Sequence, residues 1–340
     1  MLTESNLQEI SDRFNNTHIL VIGDVMVDAY LYGKVDRISP EAPVPVVSLT
    51  KRVEMPGGAG NVALNVRSLG AHTHLCAAIG EDQRGAQFVE LLKKANISVH
   101  GMIASPSRIT TTKFRIIGNN MQMLRVDEES ENDLSESEAS MLIMRAREIV
   151  SRHQIKAIIL QDYNKGVLSP EVINEIISIA NNAGIPVVVD PKKRNFDLYR
   201  NVKLFKPNLK ELCEGVKAEF DTQNHQKIIQ AMAERQITHD VEIMMVTLGD
   251  KGLLIRYADT DGFSHKHFPA QVRHVADVSG AGDTVISVAA LGISIGLHPE
   301  KIAWMSNVAG GIVCEKVGVV AINKDQLFHE LLRSTNQHRK

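Results

Sequence analysis

Short apolar runs alternate along the chain with longer segments in which apolar residues recur at helical spacing. The run HILVIG at His18–Gly23 reads as a buried strand, and similar runs lie at 155–160, 185–190 and 242–247. Between them, residues 61–69, 85–95, 135–152, 170–183 and 222–236 repeat apolar positions every three or four residues, the spacing of an amphipathic helix. Strands that are apolar throughout and separated by helices belong in a parallel sheet covered on both faces, so an α/β fold is expected. Further helices are expected from Gly280, Pro299 and Lys324, and the polar residues 1–14 read as a short surface helix.

Two stretches break this alternation. Residues 30–53 are interrupted by Pro40, Pro43 and Pro45, and residues 109–127 are rich in Thr, Ile and Arg, with a turn signal at Gly118-Asn119-Asn120. Both are expected as β-ribbons that pair into a small lid over the carboxyl edge of the main sheet, where open α/β sheets bind ligands. Their Val and Ile content makes exposed edges costly, which predicts a homodimer joined through the lids. No repeat or flexible linker divides the chain, so residues 1–340 are expected to form one domain carrying the two ribbons.

Composition narrows the partners. With 38 basic and 40 acidic side chains there is no global field to gather nucleic acid or an anionic membrane, and a small, individually positioned ligand fits better. Cys76, Cys213 and Cys314 are far apart and form no CxxC pair, which argues against a disulfide framework or cysteine zinc site and for a reducing cytoplasm. The most apolar run, 285–297, falls short of the roughly 20 residues of a membrane span and reads as a buried helix.

The most informative segment is DVSGAGDT, from Asp277 to Thr284, leading into an apolar helix. A glycine turn opening a helix leaves the amides of Ala281, Gly282 and Asp283 unpaired at the positive end of the dipole, an anion site. A carboxylate in that turn can accept the proton of an attacking hydroxyl; the bland alternative is that Asp283 only caps its helix. PGGAGNVA, from Pro56 to Ala63, is a second glycine turn. Gly58, Gly60 and Ala63 match the dinucleotide pattern GxGxxA, but a proline-broken ribbon precedes them where a βαβ strand should stand. Bare backbone at Gly57 and Gly58, with the Asn61 amide, suits close approach of a hydroxylated ligand, an ordinary turn being the alternative.

Asp24 and Asp28 follow the first strand and suit a polyol, although solvated loop acids are commoner. Asn208 and Glu211 could hold magnesium through its waters, or simply form a capping box. TLGDKG, from Thr247 to Gly252, is a strand-end turn suited to a nucleotide phosphate. Lys192 opens a basic cluster at a strand end, and His265 and His267 read as surface residues of a hairpin. A phosphorylated acceptor needs fixed cations, which Arg115 and Arg125 on the second ribbon, with Lys165 and Lys192, could supply.

Taken together, GDVMVD, PGGAGNVA, GEDQRG, NLKE, TLGDKG and DVSGAGDT resemble the PfkB, or ribokinase-like, carbohydrate kinases over nearly the whole chain. The resemblance implies a three-layer α/β/α fold with a mostly parallel sheet and β lid. It implies Asp283 as catalytic base with Gly280, Ala281 and Gly282 as the anion hole, and Asp24, Asp28, Gly57, Gly58 and Asn61 as the sugar site. Asn208 and Glu211 would organise Mg2+ and phosphate, while Thr247, Gly249, Gly252, Asn307 and Gly318 would hold ATP. Asp277 and Ser279 are candidate backbone ligands of a monovalent cation such as K+. SPEAPVPVV, DYNKGVL and DPKK further resemble members that phosphorylate O1 of D-glycero-D-manno-heptose 7-phosphate, for lipopolysaccharide inner-core synthesis. A lysine common after the paired glycines in ribokinases is Ala59 here, which disfavours ribose. No HxGH signature of a fused cytidylyltransferase is present, so a stand-alone kinase is expected. A kinase of another sugar, an NAD-dependent oxidoreductase and a non-catalytic nucleotide sensor are the competing readings.

Overall fold

The computed structural model describes residues 3–337 apart from 223, 261, 272 and 273. In chain order the strands are β1 His18–Gly23, β2 Val25–Ile38, β3 Pro45–Gly58, β4 His72–Gly80, β5 Ser98–Ser105, β6 Thr112–Gly118, β7 Met121–Glu128, β8 Ile155–Gln161, β9 Val187–Asp190, β10 Val202–Phe205, β11 Val241–Thr247, β12 Leu253–Asp259 and β13 Gly262–Phe268. The helices are α1 Glu4–Asn15, α2 Ala59–Ser68, α3 Gln83–Lys94, α4 Glu136–Arg152, α5 Pro170–Asn182, α6 Leu209–Val216, α7 His225–His239, α8 Ala281–Ser294, α9 Pro299–Cys314 and α10 Lys324–Gln337.

Nine strands form one sheet in the order β13-β12-β11-β10-β9-β8-β1-β4-β5. Seven are parallel, and β12 and β13 add an antiparallel edge. Because successive side chains of a strand point to opposite faces, Ile19 and Val21 of β1 join one core and Leu20 and Ile22 the other. The first core takes α1, α2, α3, α8, α9 and α10, and the second takes α4, α5, α6 and α7. The helices start where the sequence supplies caps: Ser135 with Glu138 before α4, Ser169 with Pro170 before α5, and Asn208 with Glu211 before α6.

The two proline- and threonine-rich stretches pair as expected, giving a second sheet in the order β3-β2-β6-β7. Asn119 and Asn120 both sit at positive φ, the two-residue turn that joins β6 to β7. The lid strands begin earlier than the proline pattern suggests: β2 leaves β1 after a single residue, and its first six positions are buried. Strands β4, β5 and β10 were not expected, whereas the 185–190 run is shortened to Val187–Asp190 after Pro186, which cannot donate to a ladder. The helix expected from 222 begins at His225, and residue 223 lies outside the described residues, as do residues 1 and 2 of the opening helix. Among the described residues no helix is long and apolar enough to cross a membrane.

Candidate active site

Parallel order β11-β10-β9-β8-β1 lines up a row of polar strand ends: Thr247, Lys206, Asp190, Gln161 and Asp24. The first turn of α8 stands over this row. Gly280 is its N-cap at φ +80, and a Cβ there would lie 2.8 Å from the Asn61 amide, so the turn requires glycine. Asp283 is buried at the third helical position and caps nothing. Its Oδ2 accepts from Asn61 Nδ2 at 2.7 Å, and its Oδ1 from Tyr163 Oη at 2.8 Å and Gln161 Nε2 at 3.1 Å. Burial pushes the Asp283 carboxyl up to about 7, with the Asn61 and Tyr163 hydrogen bonds offsetting only part of that cost. A carboxylate so placed is tuned to exchange a proton near neutral pH.

The anion hole differs in one detail from expectation. The Ala281 amide turns back to the Val278 carbonyl at 3.3 Å, leaving the amides of Gly282 and Asp283 for a ligand. A Cβ on Gly282 would point at Lys206 Nζ (3.8 Å) and Asp190 Oδ2 (3.9 Å). Lys206 and Asp190 are themselves buried and paired at 3.0 Å, so an ammonium faces the helix N-terminus from the sheet side.

Asp24 and Asn61 hold other parts of the site. Both oxygens of the buried Asp24 are taken by the loop after β8, through the amides of Tyr163 (2.7 Å), Lys165 (3.0 Å) and Val167 (3.0 Å). Asp24 therefore anchors this loop. Asn61 is fully buried, and its side chain serves Asp283 while its Oδ1 is held by Asn65 at 3.1 Å.

Asp28 is buried and ion-paired with Arg115 of the lid, whose guanidinium lies 5.0 Å over the Tyr30 ring. Burial raises the Asp28 carboxyl, and Arg115 draws it part of the way back. A Cβ on Gly57 would collide with the Asp28 carboxylate, and one on Gly58, at φ +59, with the Asp24 carbonyl. Lys165 bridges Glu129 (2.9 Å) and Glu131 (2.8 Å), while the half-exposed Arg125 pairs with Asp127 at 3.0 Å. The two lid cations and Lys165 of the loop after β8 are thus already matched with carboxylates. Lys192 does not join them: following β9, it reaches α6, pairs with Glu211 and covers the Tyr163 ring at 5.2 Å.

Asn208 and Glu211 form the reciprocal capping box of α6, both bonds at 2.8 Å. Asn208 also bridges to Thr247, which joins the α6 start to the 247–252 turn. Gly249 (φ +62) faces open space, whereas Gly252 (φ +90) packs against the backbone of 268–270. Asn307 of α9 holds the Pro269 carbonyl at 2.9 Å, so Thr247, Gly249, Gly252 and Asn307 belong to one wall. Gly318 stands apart from it. Its amide donates to Asp277 at 2.9 Å, and its Cα faces the Tyr30 ring, tying the C-terminal loop to the lid. Asp277 also accepts the Ser279 amide at 2.9 Å. His265 and His267 lie on the edge strand β13, as surface residues should.

Gln161, Tyr163, Asp190 and Lys206 were not singled out from the sequence as site residues. Tyr163, Asp190 and Lys206 open or sit in the DYNKGVL, DPKK and KPN segments, whose strand-end position was their only signal. Gln161 Oε1 is buried and has no hydrogen-bond partner among the described residues, an acceptor aimed at the space below α8. The GxGxxA match follows an antiparallel lid strand, not a βαβ strand, and is no dinucleotide fingerprint.

A buried base at a helix N-terminus, a facing lysine and a lid over a parallel sheet's carboxyl edge define a phosphotransferase acting on a small hydroxylated substrate. The chain belongs to the pfkB family of carbohydrate kinases, whose model matches residues 16–326. It is accordingly an ATP-dependent carbohydrate kinase. It is 38% identical over 328 residues to the bifunctional protein HldE of Magnetococcus marinus, covering 96% of this chain and 66% of that protein. It is 39% identical over 332 residues to the protein of the same name from Methylobacillus flagellatus, covering 97% and 67%. The chain thus spans about two thirds of the length of these curated relatives. In structure it is similar to phosphofructokinase-2 from Escherichia coli solved with substrates and products, at TM-score 0.75 and 19% identity over 92% of this chain and 97% of that one. Arabidopsis thaliana ribokinase complexed with ribose and ATP superposes at TM-score 0.69 and 18% identity over 92% and 98%. These structural likenesses establish the ribokinase-like fold.

Proposed function

We propose that the protein transfers the γ-phosphoryl group of ATP to O1 of D-glycero-D-manno-heptose 7-phosphate, giving the 1,7-bisphosphate for lipopolysaccharide inner-core synthesis. The observation that carries the reaction is the Asp283 carboxylate, buried and oriented by three side-chain donors. Oδ2 has one such donor and Oδ1 two, so Oδ2 keeps the lone pair for the acceptor hydroxyl. As the new oxygen–phosphorus bond forms and the bond to the ADP oxygen breaks, that proton passes to Asp283. The amides of Gly282 and Asp283 and the Lys206 ammonium receive the charge spread over the phosphoryl oxygens.

ATP would lie along Thr247, Gly249, Gly252 and Asn307. Glu211 and Asn208 fit magnesium through its waters, because the Glu211 oxygens are committed to Lys192 and the Asn208 amide. The ion, when bound with ATP, would neutralise phosphate charge. The turn that Asp277 makes by accepting the Ser279 and Gly318 amides is where K+ would be held by backbone carbonyls.

The acceptor is argued from cations. Arg115 and Arg125 of the lid and Lys165 of the loop after β8 each already lie against a carboxylate, and a sugar phosphate dianion would exchange into these pairs. A neutral sugar needs no such set. The test is kcat/KM for heptose 7-phosphate against heptose, fructose 6-phosphate and ribose; equal or better use of an unphosphorylated sugar overturns the assignment. The lid leaves Leu49, Met121, Met123, Leu124 and Val126 exposed, which supports a homodimer through this sheet. Light scattering should show two chains, and one after Leu124→Glu. The three free cysteines suit action in the cytoplasm.

A further inference from the structure

A second cluster of chemically capable side chains lies at the opposite, amino edge of the main sheet. We propose that His18, His74 and His153 form a binding site for a zinc-class dication. His18 opens β1, His74 is the third residue of β4, and His153 follows the last turn of α4. The parallel register pairs His18 with His72 and Leu20 with His74, which brings the rings to one corner of the sheet. One nitrogen from each of the three imidazoles lies within 4.8 Å of the other two.

The spacing suits ligation. A ring nitrogen about 2.0 to 2.1 Å from a tetrahedral zinc places its ring centroid roughly 3.2 Å from the metal, so two such rings stand about 5 Å apart. The centroid separations are 5.4 Å for His18 and His74, 5.6 Å for His18 and His153, and 4.3 Å for His74 and His153. His18 Nδ1 and His74 Nε2 are 3.1 Å apart, near the edge of a tetrahedral ligand set. The rings lie stacked or tilted at 17 to 35° to one another, so binding would require side-chain rotations that turn the third nitrogen to the same point. His74 is 7% exposed, and no carboxylate pairs with these three rings among the described ion pairs. Burial, then the neighbouring imidazoles, push His74 down to about 4, and the same causes lower His18, so both rings are neutral at neutral pH and metal binding needs only a shift of the proton they share to another ring nitrogen. His72, stacked on His18 at 4.5 Å, backs the ring from outside, and solvent supplies the fourth ligand.

The site is remote from the chemistry. The six residues of β1 separate His18 from Asp24, about 20 Å at strand rise. A metal here would fasten the end of α4 to the starts of β1 and β4, and its role would be structural.

The test uses the full chain without an affinity tag, in saturating magnesium, titrated with zinc alone against a chromophoric chelator. The expected result is one zinc per chain, a melting temperature that rises with zinc, and affinity that falls as pH drops below 6. His153→Gln and His18→Gln should each weaken zinc at least about tenfold. Kinase activity without zinc should stay unchanged in both variants. His267→Gln serves as control, because His225 and His267 also approach, at 4.4 Å between rings. The proposal is overturned if the wild type takes up no stoichiometric zinc, if both cluster variants bind like wild type, or if only His267→Gln loses it.

Discussion

Two buried aspartates stand at the carboxyl edge of the main sheet, and the fold uses them differently. Asp24 accepts three backbone amides from one loop, whereas Asp283 accepts three side-chain donors from α2, β8 and the loop after β8. Burial raises both carboxyls, Asp24 to about 6 and Asp283 to about 7. Backbone donors cannot leave without moving the chain, so Asp24 is a structural clamp. Side-chain donors can rotate as the charge changes, so Asp283 can exchange a proton. Burial and a shifted pKa therefore do not separate a base from an anchor; the kind of hydrogen-bond donor does.

The sharpest way to break this contrast is Asp283→Asn. The amide keeps the volume and the contact with Tyr163 but cannot take a proton, and kcat should fall by roughly 10²- to 10⁴-fold. ATP binding by calorimetry and the melting temperature should survive. Wild-type kcat in a folded variant would remove Asp283 from the reaction.

Asp24→Ala should show the converse. It strands the amides of Tyr163, Lys165 and Val167, and a single buried unsatisfied donor costs about 1 to 3 kcal/mol. Partial rehydration of the loop limits the total, and a loss of about 3 kcal/mol in urea unfolding is expected. A variant as stable as wild type but unable to use the sugar would show that Asp24 faces substrate after all.

The contrast was only half legible in the sequence. DVSGAGDT announced Asp283 because glycine, acid and apolar helix are adjacent in the chain, and the lid showed itself through Pro40, Pro43, Pro45 and the Asn119-Asn120 turn. Asp24 looked like a sugar ligand because the three amides that occupy it come from about 140 residues away, across the β1–β8 pairing. Gln161, Asp190 and Lys206 gather by the same strand order, which no local pattern encodes. The histidine corner was hidden for that reason too, since His18, His74 and His153 meet only when β1 pairs with β4. Strand β4, HTHLCAAIG, mixes histidine and small residues, and β10 is four residues long, so neither carried a usable period.

A smaller effect separates the two carboxylates by pH. Asp283 must be ionised to accept a proton, so kcat/KM should fall on acidification through about pH 7. Stability moves the other way. The folded carboxyl holds its proton more tightly than the unfolded one, with its usual 3.8, so the cost of burying the charge is full above pH 7 and disappears as pH falls towards 4. His74 and His239, both pushed down to about 4, oppose this below pH 6.5, because the unfolded chain protonates them first. The clean measurement is thus the stability difference between Asp283→Asn and wild type. The variant should gain most at pH 8 and lose its advantage only as pH falls to about 4; a difference that is flat with pH would mean Asp283 is not strained by its burial.

The smallest change tests the link between the two regions, which is Tyr163. Its amide is held by Asp24 and its hydroxyl by Asp283, so the clamp sets the position of one donor to the base. Burial keeps the phenol neutral, far above its usual range, and it can only donate. Tyr163→Phe keeps the backbone bond to Asp24 and the ring beneath Lys192, and removes one hydrogen bond that stabilises the ionised form of Asp283. The Asp283 carboxyl should rise further, so the midpoint of the kcat/KM profile should move to higher pH. A neutral donor to a charged acceptor is worth about 1.5 to 3 kcal/mol, but Asn61 and Gln161 remain, so a shift of about one unit and a loss of about fivefold at pH 7 are expected. At pH 9, where the carboxylate is ionised in both proteins, most of that loss should vanish. A loss equally large at every pH would instead place Tyr163 against substrate, and the clamp would act on binding, not on the base.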